Sequence, residues 1–267
     1  MNTLRHPIGT VHKGQDPKLT VRIIGRCNFR CPLCSTFSHP ERKGLLSQDE
    51  MKEIISLLVR EKFRGALNVS GGETSLHPDL PKMVSLASRL LPESAVVVFT
   101  NGDWVGARGW TERLDRLLGR PNVLVRFSLD RQHAQGKAMA LYGRIRRKTV
   151  EAVEQERLGK ARLFLAACLE RGAEPGRNFD FAYKGTLAEA SRYMRPLGDV
   201  PVYPLRFQRD PARRAKRIGF MAVDLDPRGR PLVFVTLGHI LRGEALGGIP
   251  ALPLALRMNR EALRAKS

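Results

Sequence analysis

Residues 18–34 read KLTVRIIGRCNFRCPLC, which joins a strand pattern to a cluster of cysteines. The first part is rich in β-branched residues and predicts a β-strand over residues 18–25. Three of the four cysteines in the chain follow within eight positions, as Cys27, Cys31 and Cys34. The stretch therefore predicts a strand that runs directly into a cysteine loop.

Further strand patterns alternate with helix patterns along the chain. Five more apolar or β-branched runs predict strands, at residues 66–73, 95–102, 123–130, 177–184 and 200–208. This order predicts an α/β protein with a parallel sheet, or a full or partial (β/α) barrel.

Apolar stripes at helical spacing predict the helices between these strands. The first helix begins at a capping box formed by Ser47 and Glu50. Its expected buried face consists of Met51, Ile54, Ile55 and Leu58. The later helices are expected from Leu80 to Leu91, over 109–119, over 133–171 with a break near Gly143 or Gly159, and over 186–197.

Polar groups follow the first four predicted strands at the same place, where each strand ends. They are the cysteine loop, Ser70-Gly71-Gly72-Glu73, Thr100-Asn101-Gly102, and Ser128 with Asp130. In parallel α/β folds, ligand and catalytic groups gather at the C-terminal ends of the strands. The four groups therefore predict one site at one edge of the sheet.

The clustered cysteines have the chemistry of a metal or redox site. Structural zinc is closed by four protein ligands, and only Cys168 could supply a fourth thiolate. Cys168 shares a helical face with apolar residues, which favours a role as a small buried side chain. A [4Fe–4S] cube held by three cysteines would instead keep one iron open to a cofactor or substrate.

The pattern Cys27-x-x-x-Cys31-x-x-Cys34 after the first strand, with Gly71-Gly72-Glu73 after the second, resembles the radical S-adenosylmethionine (SAM) superfamily. The resemblance covers roughly residues 18–208. It implies a partial (β/α)6 TIM-like barrel and a [4Fe–4S] cluster on the three cysteines, with SAM on the fourth iron. It also implies reductive cleavage of SAM to methionine and a 5′-deoxyadenosyl radical, which abstracts hydrogen from the substrate.

The resemblance further implies residues that contact SAM. Glu73 and the backbone near Gly71 and Gly72 would hold the methionine amino group. The other expected cofactor-binding residues are Phe29, Leu33, Asn101, Ser128 and Asp130. Leu33 stands where the family usually has an aromatic residue, and Thr74 stands where proline often follows the Gly-Gly-Glu motif. Neither departure removes a cluster ligand.

Two residues are candidates for a catalytic role. His133 could serve as a proton donor or substrate contact, although a His at a helix start is commonly a cap or a surface group. Cys168 could donate hydrogen in an epimerisation, as the alternative to its burial in the core.

The charge of the chain is strongly basic, since 46 Lys and Arg against 26 Asp and Glu leave a net charge of +20. The excess predicts an acidic substrate or partner, here a small anionic molecule or a short peptide. An acidic flavodoxin or ferredoxin would dock by charge as electron donor. Genome composition or a hot habitat is the alternative cause. Nucleic-acid modification would fit the charge, but no RNA-binding module or aromatic-interleaved basic stretch is evident.

The chain is expected to have three parts: a leader over 1–17, a core over 18–208 and an extension over 209–267. The extension pattern predicts a β-hairpin and a final helix over 253–265 that cover the mouth of the barrel. Because the extension contains no cysteine, we expect a single cluster. The N-terminus lacks a signal-peptide pattern and no apolar run is long enough to span a membrane, which predicts a cytoplasmic protein. A non-catalytic iron–sulfur or zinc protein is the remaining alternative.

Overall fold

The protein is described from a computed structural model. The described residues are 18–184 without 33, 35, 37 and 61, then residue 197 and the backbone of short strands at 202–205, 223–225, 231–234, 245–246 and 249–250. The predicted leader (1–17) and the predicted helices at 186–197 and 253–265 lie outside this part of the chain, apart from residue 197.

Six parallel strands form the main sheet in chain order. They are β1 (Lys18–Ile24), β2 (Ala66–Gly71), β3 (Ala95–Thr100), β4 (Val123–Ser128), β5 (Phe179–Lys184) and β6 (Val202–Leu205). Each strand pairs in parallel with the next one along the chain. β1 and β6 do not pair, so the sheet is open. The predicted α/β fold with a parallel sheet, open as in a partial barrel, is confirmed.

Five helices connect the strands within the described residues. They are α1 (Gln48–Arg60), α2 (Leu80–Leu90), α3 (Trp110–Leu118), α4 (Arg131–Tyr142) and α5 (Arg147–Glu170). The capping box is confirmed, since Ser47 N donates to Glu50 Oε2 at 2.6 Å and Glu50 N donates to Ser47 Oγ at 3.2 Å. The long helical region breaks at Gly143, which ends α4 in the left-handed conformation (φ 65°), and not at Gly159.

The two faces of the sheet differ in chemistry. One face packs its aliphatic and aromatic side chains against the helices, including Val69, Val98 and Phe127. The opposite face carries apolar side chains, among them Ala66, Ala95 and Leu124, and polar side chains that lie mostly in the C-terminal halves of the strands. These polar side chains are Arg22, Asn68, Ser70, Arg126, Ser128 and Asp180. The second face therefore carries its polar groups at the edge where the predicted site lies.

A hairpin extends the sheet beyond β1. β7 (Val223–Leu225) and β8 (Pro231–Phe234) are antiparallel, and β8 pairs in parallel with β1. The predicted hairpin is present, together with a small pair of strands, β9 (Ala245–Leu246) and β10 (Ile249–Pro250). Coverage of the barrel mouth by the extension stays a prediction. No helix among the described residues is long and apolar enough to cross a membrane.

Candidate active site

The cysteine loop directs backbone amides at two of its sulfur atoms. Phe29 N donates to Cys27 Sγ at 3.4 Å, and Ser38 N donates to Cys34 Sγ at 3.3 Å. The Asn101 side-chain amide, at the end of β3, lies 3.9 Å from Cys27 Sγ. N–H groups that point at cysteine sulfur stabilise the thiolate form, which is the form that ligates iron. The donor set and its surroundings therefore fit an iron–sulfur cluster.

Two of the three cysteines, Cys27 and Cys31, have raised pKa values in the protein without metal. Burial raises the pKa of Cys27 to about 12, against the Phe29 amide, which lowers it. Burial also raises the pKa of Cys31, and the neighbouring Cys34 and Cys27 add to this effect. No three described His, Cys, Asp or Glu side chains are grouped closely enough to hold a metal ion as they stand.

Gly71 and Gly72 permit a close approach between two strand ends. Gly71 has a φ of 152°, and a Cβ added there would overlap the carbonyl oxygen of Ile24. A Cβ added at Gly72 would overlap the carbonyl oxygen of Arg26. Gly72 N in turn donates to Ile24 O at 2.7 Å. The two glycines therefore seat the end of β2 against the entry to the cysteine loop.

Glu73 joins the ends of β2 and β3. Its side chain is 1% exposed, and Oε1 accepts from Ser75 N at 3.0 Å and from Thr100 Oγ1 at 2.6 Å. Its Oε2 accepts from Asn101 N at 2.6 Å. A carboxylate has about four acceptor positions, and the described residues supply three donors, so Oε2 can accept from one more.

Asn101, whose backbone amide bonds Glu73, also connects to the cysteine loop. Its Nδ2 donates to Asn28 Oδ1 at 2.8 Å, and its Oδ1 accepts from Asp103 N at 3.0 Å. The predicted site residues after β1, β2 and β3 are thus brought together by hydrogen bonds.

Ser128 and Asp130 lie at the end of β4, and both are buried. Asp130 caps α4, since its Oδ1 accepts from His133 N at 2.9 Å and pairs with His133 Nδ1 at 2.8 Å. His133 is thus part of the helix cap, and its catalytic role stays a prediction. Cys168 is fully buried in the hydrophobic core, where burial raises its pKa to about 12. Phe29 is 1% exposed, and Leu33 lies outside the described residues.

Gly136 on α4 is a further residue of the site, one that the motifs of the sequence do not predict. Its carbonyl oxygen accepts from Arg30 N at 2.9 Å. A Cβ at Gly136 would overlap Cys31 Sγ and lie 2.8 Å from the Cys31 Cα. A glycine in a helix interior, away from any cap, is a recognisable sign of close backbone approach.

Arg157 on α5 is a second such residue. It is 1% exposed, and it donates to Asn101 O at 3.0 Å and to Ser128 O. Arg157 stands four positions before Ala161 on the buried face of its helix. A charged residue within an apolar stripe is the sequence pattern that could have predicted a buried functional arginine here.

A charged network lies beside the loop. Lys137 Nζ contacts Asp103 Oδ1 and Glu156 Oε1, both at 2.6 Å. Lys160 Nζ contacts Asp103 Oδ1 at 3.0 Å, and Asn28 Nδ2 donates to Asp103 Oδ2 at 2.8 Å. Burial alone would raise the pKa of Asp103, but the hydrogen bonds and charges of Lys137 and Lys160 outweigh it and hold that pKa below its ordinary value.

A cavity of about 480 Å³ opens beside Cys31 and Cys34, and Arg30 and Arg42 are among its lining residues. Its volume is within the range of small-ligand sites. Arg22 donates to Ser38 Oγ at 3.0 Å on the polar face of the sheet. Burial, and then the charge of Arg42, lower its pKa to about 10, while Cys34 opposes this. The cavity therefore carries charges of both signs, since Glu41 also lines it and pairs with Arg30.

The sequence model of the Radical SAM superfamily matches residues 21–157, more than half of the chain. The chain belongs to the radical SAM superfamily. It is therefore an enzyme of a family that uses a [4Fe–4S] cluster and SAM.

Curated relatives of this radical SAM protein are named GTP 3′,8-cyclase. The enzyme of Sulfurimonas denitrificans is 29% identical over 86 residues, which are 31% of this chain and 26% of the relative. The enzyme of Microcystis aeruginosa is 32% identical over 92 residues, which are 32% of this chain and 27% of the relative. The match thus spans about a quarter of the relatives' length. The solved structure of anSMEcpe with bound AdoMet is 16% identical, with a TM-score of 0.48 over 72% of this chain and 51% of that chain.

Proposed function

We propose that this radical SAM enzyme holds its cluster on Cys27, Cys31 and Cys34, and that it cleaves SAM to abstract hydrogen from a small anionic substrate or a short peptide. The observation that carries the proposal is the pair of backbone amides that point at Cys27 Sγ and Cys34 Sγ. A structural core loop has no need of such donors, whereas cluster thiolates are stabilised by them.

When bound, the cluster and SAM supply a one-electron cleavage of the sulfonium that yields methionine and a 5′-deoxyadenosyl radical. The cysteines would ligate iron as thiolates, a step that the raised pKa values of Cys27 and Cys31 resist in the absence of metal.

Glu73 and the neighbouring glycines would orient the methionine end of SAM. Gly71 and Gly72 hold the end of β2 against the cysteine loop, which brings Glu73 to the same edge. The fourth acceptor position of Glu73 is suited to the SAM amino group, and Asn101 keeps this carboxylate oriented through its backbone amide. Ser128 and Asp130 would contact the ribose or the methionyl carboxylate from the end of β4.

An anionic substrate agrees with the polar face of the sheet. Arg22 lies on that face, near the end of β1, and donates to Ser38 Oγ. Phosphate and carboxylate groups match the fork of a guanidinium. The curated relatives are named for GTP, which is itself an anionic nucleotide, and this agrees with the proposed substrate class.

The electron would come from an acidic flavodoxin or ferredoxin, since the net charge of +20 favours docking by charge. The rate of cluster reduction by such a donor should fall as salt is raised. A rate that does not change between low and high salt would exclude steering by charge.

Iron and sulfide analysis tests the cluster assignment. Anaerobically reconstituted protein should hold about four irons per chain. Cys27→Ala, Cys31→Ala and Cys34→Ala should each lose most of this iron, while Cys168→Ala, as the matched control, should keep it. Equal iron in all four variants would contradict the ligand set, and about eight irons in the wild type would contradict a single cluster.

A further inference from the structure

Arg157 places a buried positive charge beneath the cysteine loop. Its two bonds to the carbonyl oxygens of Asn101 and Ser128 fix the guanidinium between the ends of β3 and β4. Its guanidinium carbon lies 5.2 Å from the centre of the Phe29 ring and 5.9 Å from the centre of the Phe127 ring. Phe29 stands between Cys27 and Cys31 in the chain, so the cation lies against the ring of a residue of the cysteine loop.

Asp130 places a buried negative charge at the same end of the sheet. It is 0% exposed, and its position is fixed by the cap of α4. The same helix passes directly against Cys31 at Gly136. Both charges therefore lie next to elements that contact the cysteine loop: Arg157 at the Phe29 ring, and Asp130 at the start of the helix that passes Cys31.

We propose that Arg157 and Asp130 set the reduction potential of the cluster from opposite directions, Arg157 raising it and Asp130 lowering it. The inference rests on the proposed function, because it takes the cluster to lie on Cys27, Cys31 and Cys34. Reduction moves one electron from the external donor to the cluster without a proton, so the cluster becomes one unit more negative. A nearby cation stabilises that added charge and a nearby anion destabilises it, and both effects are strong in a buried site.

Charge and structure can be separated by substitution. Arg157→Met removes the charge and both hydrogen bonds, whereas Arg157→Lys keeps the charge but loses the fork that bonds two carbonyls. Asp130→Asn removes the negative charge and keeps a good helix cap. Arg171→Met is the matched control, because it removes a charge about 21 Å away along the axis of α5.

The experiment is a redox titration of the reconstituted full chain without SAM, followed by the EPR signal of the reduced cluster. At the potential of the wild-type midpoint, Arg157→Met should lower the ratio of reduced to oxidised cluster at least tenfold. This corresponds to a midpoint potential lower by about 59 mV for one electron. Asp130→Asn should raise that ratio, while Arg157→Lys and Arg171→Met should stay within about threefold of the wild type. Thermal melts of each variant report stability separately.

Two results would overturn the inference: no shift in Arg157→Met and Asp130→Asn with the cluster intact, or shifts of both in the same direction. If Arg157→Met does not retain the cluster, Asp130→Asn decides alone, and a ratio that is unchanged or lower overturns the inference. Failure of the proposed function is distinct, because wild-type protein would then hold no cluster to titrate.

Discussion

Gly136 lies directly against Cys31, so that the α4 backbone occupies the space that a side chain would need. A Cβ at Gly136 would overlap Cys31 Sγ and lie 2.8 Å from both Cα and the amide nitrogen of Cys31. Glycine costs a helix interior about 1 kcal/mol relative to alanine. The position of Cys31 thus depends on a residue that weakens its own helix.

Gly136→Ala should displace Cys31 and weaken the cluster. We expect loss of iron to a chelator to become about tenfold faster, the lower end of the effect of groups that position metal ligands. Gly159→Ala is the matched control, since Gly159 is interior to α5 and has nothing within 4 Å of an added Cβ. It should stabilise the fold by up to about 1 kcal/mol and leave iron retention unchanged. Equal retention in both variants would contradict the role of Gly136.

Glu73→Gln should destabilise the protein even without iron. The amide of glutamine would place a donor against the Asn101 N–H or the Thr100 hydroxyl, where Glu73 accepts from both. We expect the free energy of unfolding, measured by urea titration of the iron-free protein, to fall by about 1–3 kcal/mol. Glu93→Gln, at an exposed pair with Arg64, should change it by less than about 0.5 kcal/mol. A similarly small change in Glu73→Gln would show that the hydrogen bonds of Glu73 between β2 and β3 are not needed for stability.

Asp180→Asn should be among the most destabilising single changes on the polar face. Arg126 bonds Asp180 through Nε at 2.7 Å and through NH2 at 2.5 Å, and both side chains are nearly fully buried. Removing the carboxylate beside this buried guanidinium should cost about 3–5 kcal/mol. Glu151→Gln, at the exposed pair with Arg147, should cost about 0.3–0.5 kcal/mol. Urea unfolding of the two variants measures the contrast, and equal losses would contradict it.

The local patterns of the sequence predicted most of the fold. The capping box of Ser47 and Glu50 and the stripe from Met51 to Leu58 depend only on neighbours within two helical turns, and both are present. The alternation of strands and helices likewise predicted the parallel order of β1 to β6.

The interior of the site depends on contacts that local patterns do not encode. Arg157 bonds Asn101 across 56 positions of sequence. Gly136, in α4, contacts Cys31, which lies in the distant loop after β1. The motif residues Gly71, Gly72 and Glu73 could be predicted as a group at the strand end. Their hydrogen bonds to the cysteine loop and to the end of β3 could not be predicted, because these bonds depend on how the strands lie side by side.

Asp103 should make stability depend on pH at the acidic end. Its pKa is below the ordinary value in the folded protein, so its ion pairs with Lys137 and Lys160 stabilise the fold above about pH 4. That contribution should disappear as the pH falls through the lowered pKa and Asp103 takes up a proton. Asp103→Asn should therefore destabilise the iron-free protein at pH 7, and this deficit should be smaller at about pH 3, as measured by urea unfolding. A deficit of the same size at both pH values would mean that the charge of Asp103 is not its source.

Formation of 5′-deoxyadenosine from SAM with dithionite under anaerobic conditions tests whether this protein cleaves SAM at a cluster on Cys27, Cys31 and Cys34. Reconstituted wild-type protein and Cys168→Ala should both produce 5′-deoxyadenosine and methionine in equal amounts. Cys27→Ala, Cys31→Ala and Cys34→Ala should produce neither above background. The account would be contradicted by fully iron-loaded wild-type protein that forms no 5′-deoxyadenosine, or by a Cys31→Ala variant that forms as much as the wild type.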